Sequence, residues 1–155
     1  MIAEKYVIRT GVGVSDEHLP SFDKALIEAG VGNYNLVRLS SILPARCKCV
    51  DEIDLPEGSL LPTAYSTISS NKKGDVLVST IGVGIPADPN HVGVIMEYSV
   101  IGQNHDEALD VLRKMIREAF DVRGWELGHI ESMYSETVVL KDEETKTTFA
   151  CIAEW

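Results

Sequence analysis

Residues 35–44 read Asn35-Leu36-Val37-Arg38-Leu39-Ser40-Ser41-Ile42-Leu43-Pro44. Leu36 to Leu39 suit a short strand, and Pro44 closes the stretch. The strand delivers Ser40 and Ser41 at its end, where the backbone can be held in a fixed geometry. The Ser41 hydroxyl stands one residue downstream of a peptide carbonyl that it could attack. Taken alone, a Ser-Ser pair at a strand end reads as a turn or a hydrogen-bonding loop, since loops collect Ser, Asn and Pro. Whether chemistry happens here depends on the rest of the chain.

A chain of 155 residues fits one domain spanning 1–155, long enough to bury roughly 70% of its unfolded surface. Hydrophobic residues at 45% and charged residues at 25% suit a soluble globular protein. Aromatics at 6% leave the core to aliphatic strands and helices. The net charge of −10 and the absence of a Lys/Arg-rich run argue against nucleic acid as a partner. No apolar stretch approaches a membrane span, and the charged, short N-terminal run does not suit a signal peptide. Three cysteines make no disulfide framework. Cys47 and Cys49 are spaced to share one strand face without zinc-site company, so a structural or incidental role is expected, with no metal. These features point to a reducing, cytoplasmic setting.

Strands are expected over 5–14, 36–39, 47–50, 60–68, 75–83, 92–101, 125–140 and 147–155. Phe22, Ala25, Leu26 and Ala29 fall at helical spacing across 21–29, with Ser21 placed to cap the start, Asp23 in the first turn and Gly30 at the end. A longer helix over 105–122 shows an apolar face of Ala108, Leu109, Leu112, Met115, Ile116, Ala119 and Phe120, and Gly124 ends it. Eight strands against two widely spaced helices favour an α+β fold with mixed or antiparallel sheets over a βαβ repeat. The Gly-Val-Gly runs at 11–13 and 82–84 lack the spacing of a phosphate loop and read as strand or turn glycines.

Glu97 is the most informative acid. On its strand it shares a face with Ile95 and Ser99, while Val94, Met96, Tyr98 and Val100 point the other way. Covered on both faces, it would stay protonated near neutrality, as a proton donor requires; on an edge it would be solvated. His18, His91, His105 and His129 fall in turns or near element ends, where exposure is expected. Glu126 and Glu131 fit the polar face of an alternating strand. No Gly-X-Ser-X-Gly and no His-Glu-X-X-His occurs, and no binding motif for an organic cofactor is present.

At this point the residues carry a resemblance. The run Gly32-Asn33-Tyr34-Asn35-Leu36-Val37-Arg38-Leu39-Ser40-Ser41-Ile42-Leu43-Pro44 resembles the self-cleavage segment of pyruvoyl-dependent arginine decarboxylases. Pro62-Thr63-Ala64-Tyr65, Ile95-Met96-Glu97-Tyr98 and Arg123-Gly124-Trp125-Glu126-Leu127 resemble family segments in the same order, as do Phe22-Asp23 and Ala25-Leu26. The likeness runs from about residue 11 to the end; the N-terminal arm and loops depart from it.

That resemblance implies an αββα sandwich and cleavage of the chain's own Ser40–Ser41 bond, giving a β chain of 1–40 and an α chain of 41–155. Ser41 would become a covalent pyruvoyl group, which does the electron-sink work of pyridoxal phosphate in other decarboxylases. The implied reaction is conversion of L-arginine to agmatine and carbon dioxide. Asn35 matches an asparagine that supports processing and contacts substrate; an amide steadying an oxyanion is worth roughly 3–4 kcal/mol. Glu97 matches the acid that returns a proton to the α-carbon, and Asp23 the acid that meets the guanidinium in a bidentate fork. Asp23 and Leu26 would come from a neighbouring subunit of a trimer, or of two stacked trimers. Two rivals stand beside this reading. One is a pyruvoyl enzyme for another amino acid, which would not need Asp23. The other is a non-catalytic oligomeric binding module whose Ser40–Ser41 bond never breaks.

Overall fold

A computed structural model describes residues 1–155. The elements run β1 (Lys5–Ser15), α1 (His18–Glu28), β2 (Asn35–Arg38), β3 (Ile42–Leu43), β4 (Lys48–Cys49), β5 (Leu60–Ser70), β6 (Val76–Pro86), β7 (Gly93–Ile101), α2 (His105–Arg123), β8 (Leu127–Val138) and β9 (Thr145–Glu154). They build two sheets, ordered β2-β5-β9-β1-β4 and β3-β7-β6-β8. The pairs β1–β4 and β2–β5 are parallel, and the remaining pairs are antiparallel. Helix α1 packs on β1 and β9, and α2 packs on β6, β7 and β8. The layers therefore run α1, five-stranded sheet, four-stranded sheet, α2: an α+β fold, as the element order implies.

The two sheets meet through Tyr6, Leu43, Ala64, Ile81, Val83, Ile95, Ala150 and Ile152. The central strands β6 and β9 are covered on both faces, so they read as continuous runs of apolar and small residues rather than as an alternation. Both Gly-Val-Gly runs seat a helix. A Cβ on Gly13 would lie 1.7 Å from the Ser21 carbonyl oxygen of α1, and one on Gly84 would lie 2.6 Å from Ile116 and Phe120 of α2.

The start of α1 differs from the expectation. It begins at His18, with extended Glu17 before it and no side-chain cap, so Ser21 is not a cap and Asp23 lies beyond the first turn. Pro20 is tolerated there because first-turn N–H groups have no helical partner. Ser21 is instead buried; its hydroxyl donates to the His18 carbonyl at 2.7 Å and lies 2.6 Å from Thr147 Oγ1. Helix α2 follows its sequence signals. Asn104 accepts from the Glu107 N–H at 2.9 Å, and Gly124 takes the left-handed conformation at φ 66°. Eight of the nine strands are legible in the sequence. The ninth, β3, decides what happens at the serine pair.

Candidate active site

Strand β2 belongs to the five-stranded sheet and β3, four residues later, to the other. The chain changes sheets at Ser40. The Leu39 N–H still donates to the Thr63 carbonyl of β5 at 3.0 Å, while the Ser41 carbonyl already accepts from the Ile95 N–H of β7 at 2.8 Å. Ser40 joins neither ladder. The Ser40–Ser41 peptide bond is thus a bridge anchored at both ends, with Ser40 exposed and Ser41 half-buried.

The same anchoring positions Glu97. Strand β3 pairs with β7 only at Gly93 and Val94, so beyond Ile95 the outer edge of β7 has no neighbouring strand. Val94, Met96 and Tyr98 turn towards α2, which leaves Ile95 and Glu97 facing the other sheet. Of the two arrangements open to Glu97, the edge is realised, but the side chain is not simply solvated. It is 30% exposed, and its Oε1 accepts from Arg38 Nη2 at 2.8 Å. Arg38 Nη2 also donates to the Tyr65 carbonyl at 3.1 Å, and its guanidinium lies 4.3 Å above the centre of the Tyr65 ring. Partial burial works against the Arg38 charge, yet the bonds to Glu97 and Tyr65 outweigh it and hold its pKa above the ordinary value.

The other sequence-derived candidates lie elsewhere in the same chain. Asn35 opens β2 and its amide donates to the Gly58 carbonyl at 2.8 Å. Its amide is thus engaged at the start of β2, six residues before Ser41. Asp23 is exposed on α1, and Leu26 packs against the cluster beneath that helix, on the outer face of the five-stranded sheet. One chain therefore brings together Ser40, Ser41 and Glu97, but not Asn35, Asp23 or Leu26. Sequence reasoning missed Arg38 and Tyr65. The signal for Arg38 was there, a cation set among Leu36, Val37 and Leu39 just before the serines.

Two further expectations need correction. Glu131 is not merely a strand's polar face: across the sandwich its Oε2 accepts from the Tyr6 hydroxyl at 2.6 Å, and burial together with this carboxylate pushes the Tyr6 phenol upward. His91 and His105 are only partly exposed, since they stack on Trp125 and Tyr134 with ring centres 4.1 and 4.3 Å apart. At the same end of the sandwich as Tyr6, burial and nearby Glu154 push the Cys47 thiol up to about 11, and burial and Glu131 raise Cys49. Burial thus works against thiolate formation at both positions.

Comparison with known proteins bears on the serine bridge. A family model described as pyruvoyl-dependent arginine decarboxylase matches residues 5–153. A pyruvoyl-dependent arginine decarboxylase of Methanococcus aeolicus is 41% identical over 145 residues, covering 94% of this chain and 86% of its own length. Proteins of the same name from Methanocaldococcus jannaschii, 41% identical over 94% of this chain and 86% of theirs, and Pyrococcus furiosus, 35% identical over 96% and 94%, match similarly. The match spans both strands that hold the serine bridge and the strand that carries Glu97, so the chain belongs to the pyruvoyl-dependent arginine decarboxylase family.

Proposed function

We propose that this chain cuts its own Ser40–Ser41 bond and then decarboxylates L-arginine to agmatine and carbon dioxide. The observation that carries the first half is the sheet change at Ser40, which leaves one peptide unit free of both ladders while its neighbours are anchored. The Ser41 hydroxyl attacks the Ser40 carbonyl, moving the acyl group from the Ser41 nitrogen to its oxygen. Loss of the Ser41 α-proton then releases Ser40 as a carboxylate and leaves a dehydroalanine. Water converts that residue to a ketone and releases ammonia. The products are 1–40 and 41–155, the two pieces of one domain.

The residues fit the resulting pyruvoyl group. Its amide carbonyl is that of Ser41, which already accepts the Ile95 N–H at 2.8 Å and is polarised by it. The group supplies the electron-withdrawing ketone and amide that make loss of carbon dioxide feasible. Glu97, two residues past Ile95 on the same strand, would hold the proton returned to the α-carbon. Asp23 would meet the substrate guanidinium and Leu26 would line its site, both from a neighbouring subunit of a trimer or of two stacked trimers, while Asn35 would support processing and contact substrate. The seat of α1 on β1 and β9, on the outer face of the five-stranded sheet, supports that sharing. A cytoplasmic setting accords with three free thiols; no helix is long and apolar enough to cross a membrane.

Denaturing mass spectrometry tests the cleavage: two fragments are expected from the wild type and one intact chain from Ser41→Ala. An uncut wild-type chain under active conditions defeats the enzyme reading. Carbon dioxide release from arginine, ornithine, lysine and histidine, assayed side by side, tests the substrate. Arginine should dominate, and equal turnover of lysine would remove the role given to Asp23.

A further inference from the structure

Arg38 is bonded in a lopsided way. A single nitrogen, Nη2, serves both Glu97 and the Tyr65 carbonyl, although a guanidinium offers five N–H donors. With side chains 54% and 30% exposed, the Arg38–Glu97 pair adds at most about 1 kcal/mol to the fold. Its importance must therefore lie in what it does to Glu97. Arg38 also stands two residues before Ser40. The Leu39 N–H is still held by the Thr63 carbonyl, and two residues of chain put Ser40 no more than about 7 Å from Arg38. An arginine side chain spans that distance.

Resting on the cleavage proposed above, we infer that the cut moves Arg38 from Glu97 to the carboxylate newly formed at Ser40, and so readies Glu97 to carry its proton. In the continuous chain one guanidinium faces one carboxylate. Elimination from the ester adds a second carboxylate, at Ser40, and no ammonium arrives to balance it because the Ser41 nitrogen leaves as ammonia and the new end of the α chain is a ketone. The unused Arg38 donors suit the bidentate grip that a terminal carboxylate accepts. Two carboxylates sharing one cation hold a proton more readily than a carboxylate with a cation to itself. Cleavage would then create the cofactor and enable its proton donor in one event. Arg38 acts through Glu97 and the Ser40 terminus, and is a positioning residue.

Crystal structures of Ser41→Ala and of the processed wild type give the direct comparison. The 2.8 Å bond from Arg38 to Glu97 should persist in the uncut variant. In the processed protein Arg38 should hydrogen-bond the Ser40 carboxylate; an Arg38 that stays on Glu97 alone overturns the inference. Kinetics of the cleaved fraction give a second reading through Arg38→Gln and Arg38→Lys. Both should cleave. Arg38→Gln should lose about tenfold in kcat with KM little changed, less than the roughly hundredfold or more that loss of a general acid itself costs, and Arg38→Lys should recover part of the loss. An unchanged kcat in Arg38→Gln defeats the role of Arg38 while leaving the decarboxylase reading intact. A wild-type chain that never cleaves defeats both.

Discussion

Glu154 shows how much a single side chain can matter without taking part in chemistry. It is 6% exposed on β9, and its Oε2 has no hydrogen-bond partner. Burial raises its pKa from the ordinary 4.5 to about 7. Between those values the folded state holds a proton that the unfolded chain has lost, so stability falls as pH rises through that window. Below pH 4.5 both states are protonated and the effect vanishes. Above pH 7 both are ionised and the loss is complete, at roughly 3 kcal/mol. Glu154→Gln should therefore match the wild type in Tm at pH 4.5 and exceed it increasingly towards pH 7. Thermal melts that stay parallel across that range would show that this carboxyl is not paying the burial cost. Nothing in the sequence marks Glu154 as different from Glu126 or Glu131, because burial is decided by which strand pairs with which. Glu97 and Arg38 follow the same rule: each is legible as a charge on a strand, but their meeting depends on a sheet edge that only the fold creates.

At the scale of elements, the signals that could be read are those set locally. The apolar face of α2, its Gly124 stop and the long strands follow from periodicity and turn residues within each segment. The start of α1 was misjudged because a serine that caps a helix and a serine that bonds across to Thr147 look alike in sequence. Strand β3 was invisible because two residues carry no period, and its partner on β7 lies some fifty positions away. The glycine seats belong to this scale too. A Cβ at Gly13 would meet the Ser21 carbonyl oxygen at 1.7 Å, whereas one at Gly82 would come no closer than 3.0 Å to the end of the Leu112 side chain and 3.2 Å to the Glu131 carbonyl oxygen. Gly13→Ala must push α1 off its sheet and should destabilise by about 3 kcal/mol, while Gly82→Ala should cost clearly less. Melting of the two variants beside the wild type checks this. Equal losses would mean that helix seating does not set the cost.

For the whole molecule, the layer order separates the residues that the reaction is proposed to use. Ser41 and Glu97 sit at the edge where the chain passes between sheets. Asp23 lies on α1, which covers the outer face of the five-stranded sheet through β1 and β9. Asn35 begins β2, with its amide bonded to the Gly58 carbonyl. On the proposed reading, a site needing all four groups within reach of one small substrate would be completed by a second copy, and closed rotational symmetry would supply every site with the same complement. This arrangement makes a prediction that no single-chain site can satisfy. Asp23→Ala and Glu97→Gln should each lose most activity when prepared alone, since each spoils every site. Co-expressed in equal amounts, they should recover about a quarter of the wild-type rate, because a site that takes Asp23 from one chain and Glu97 from its neighbour finds both intact in that share of random pairings. Carbon dioxide release from arginine, normalised to the pyruvoyl content of the mixed protein, measures it. If mixing restores nothing while both variants are cleaved and co-assembled, each site is built within one chain, and the shared-site reading falls.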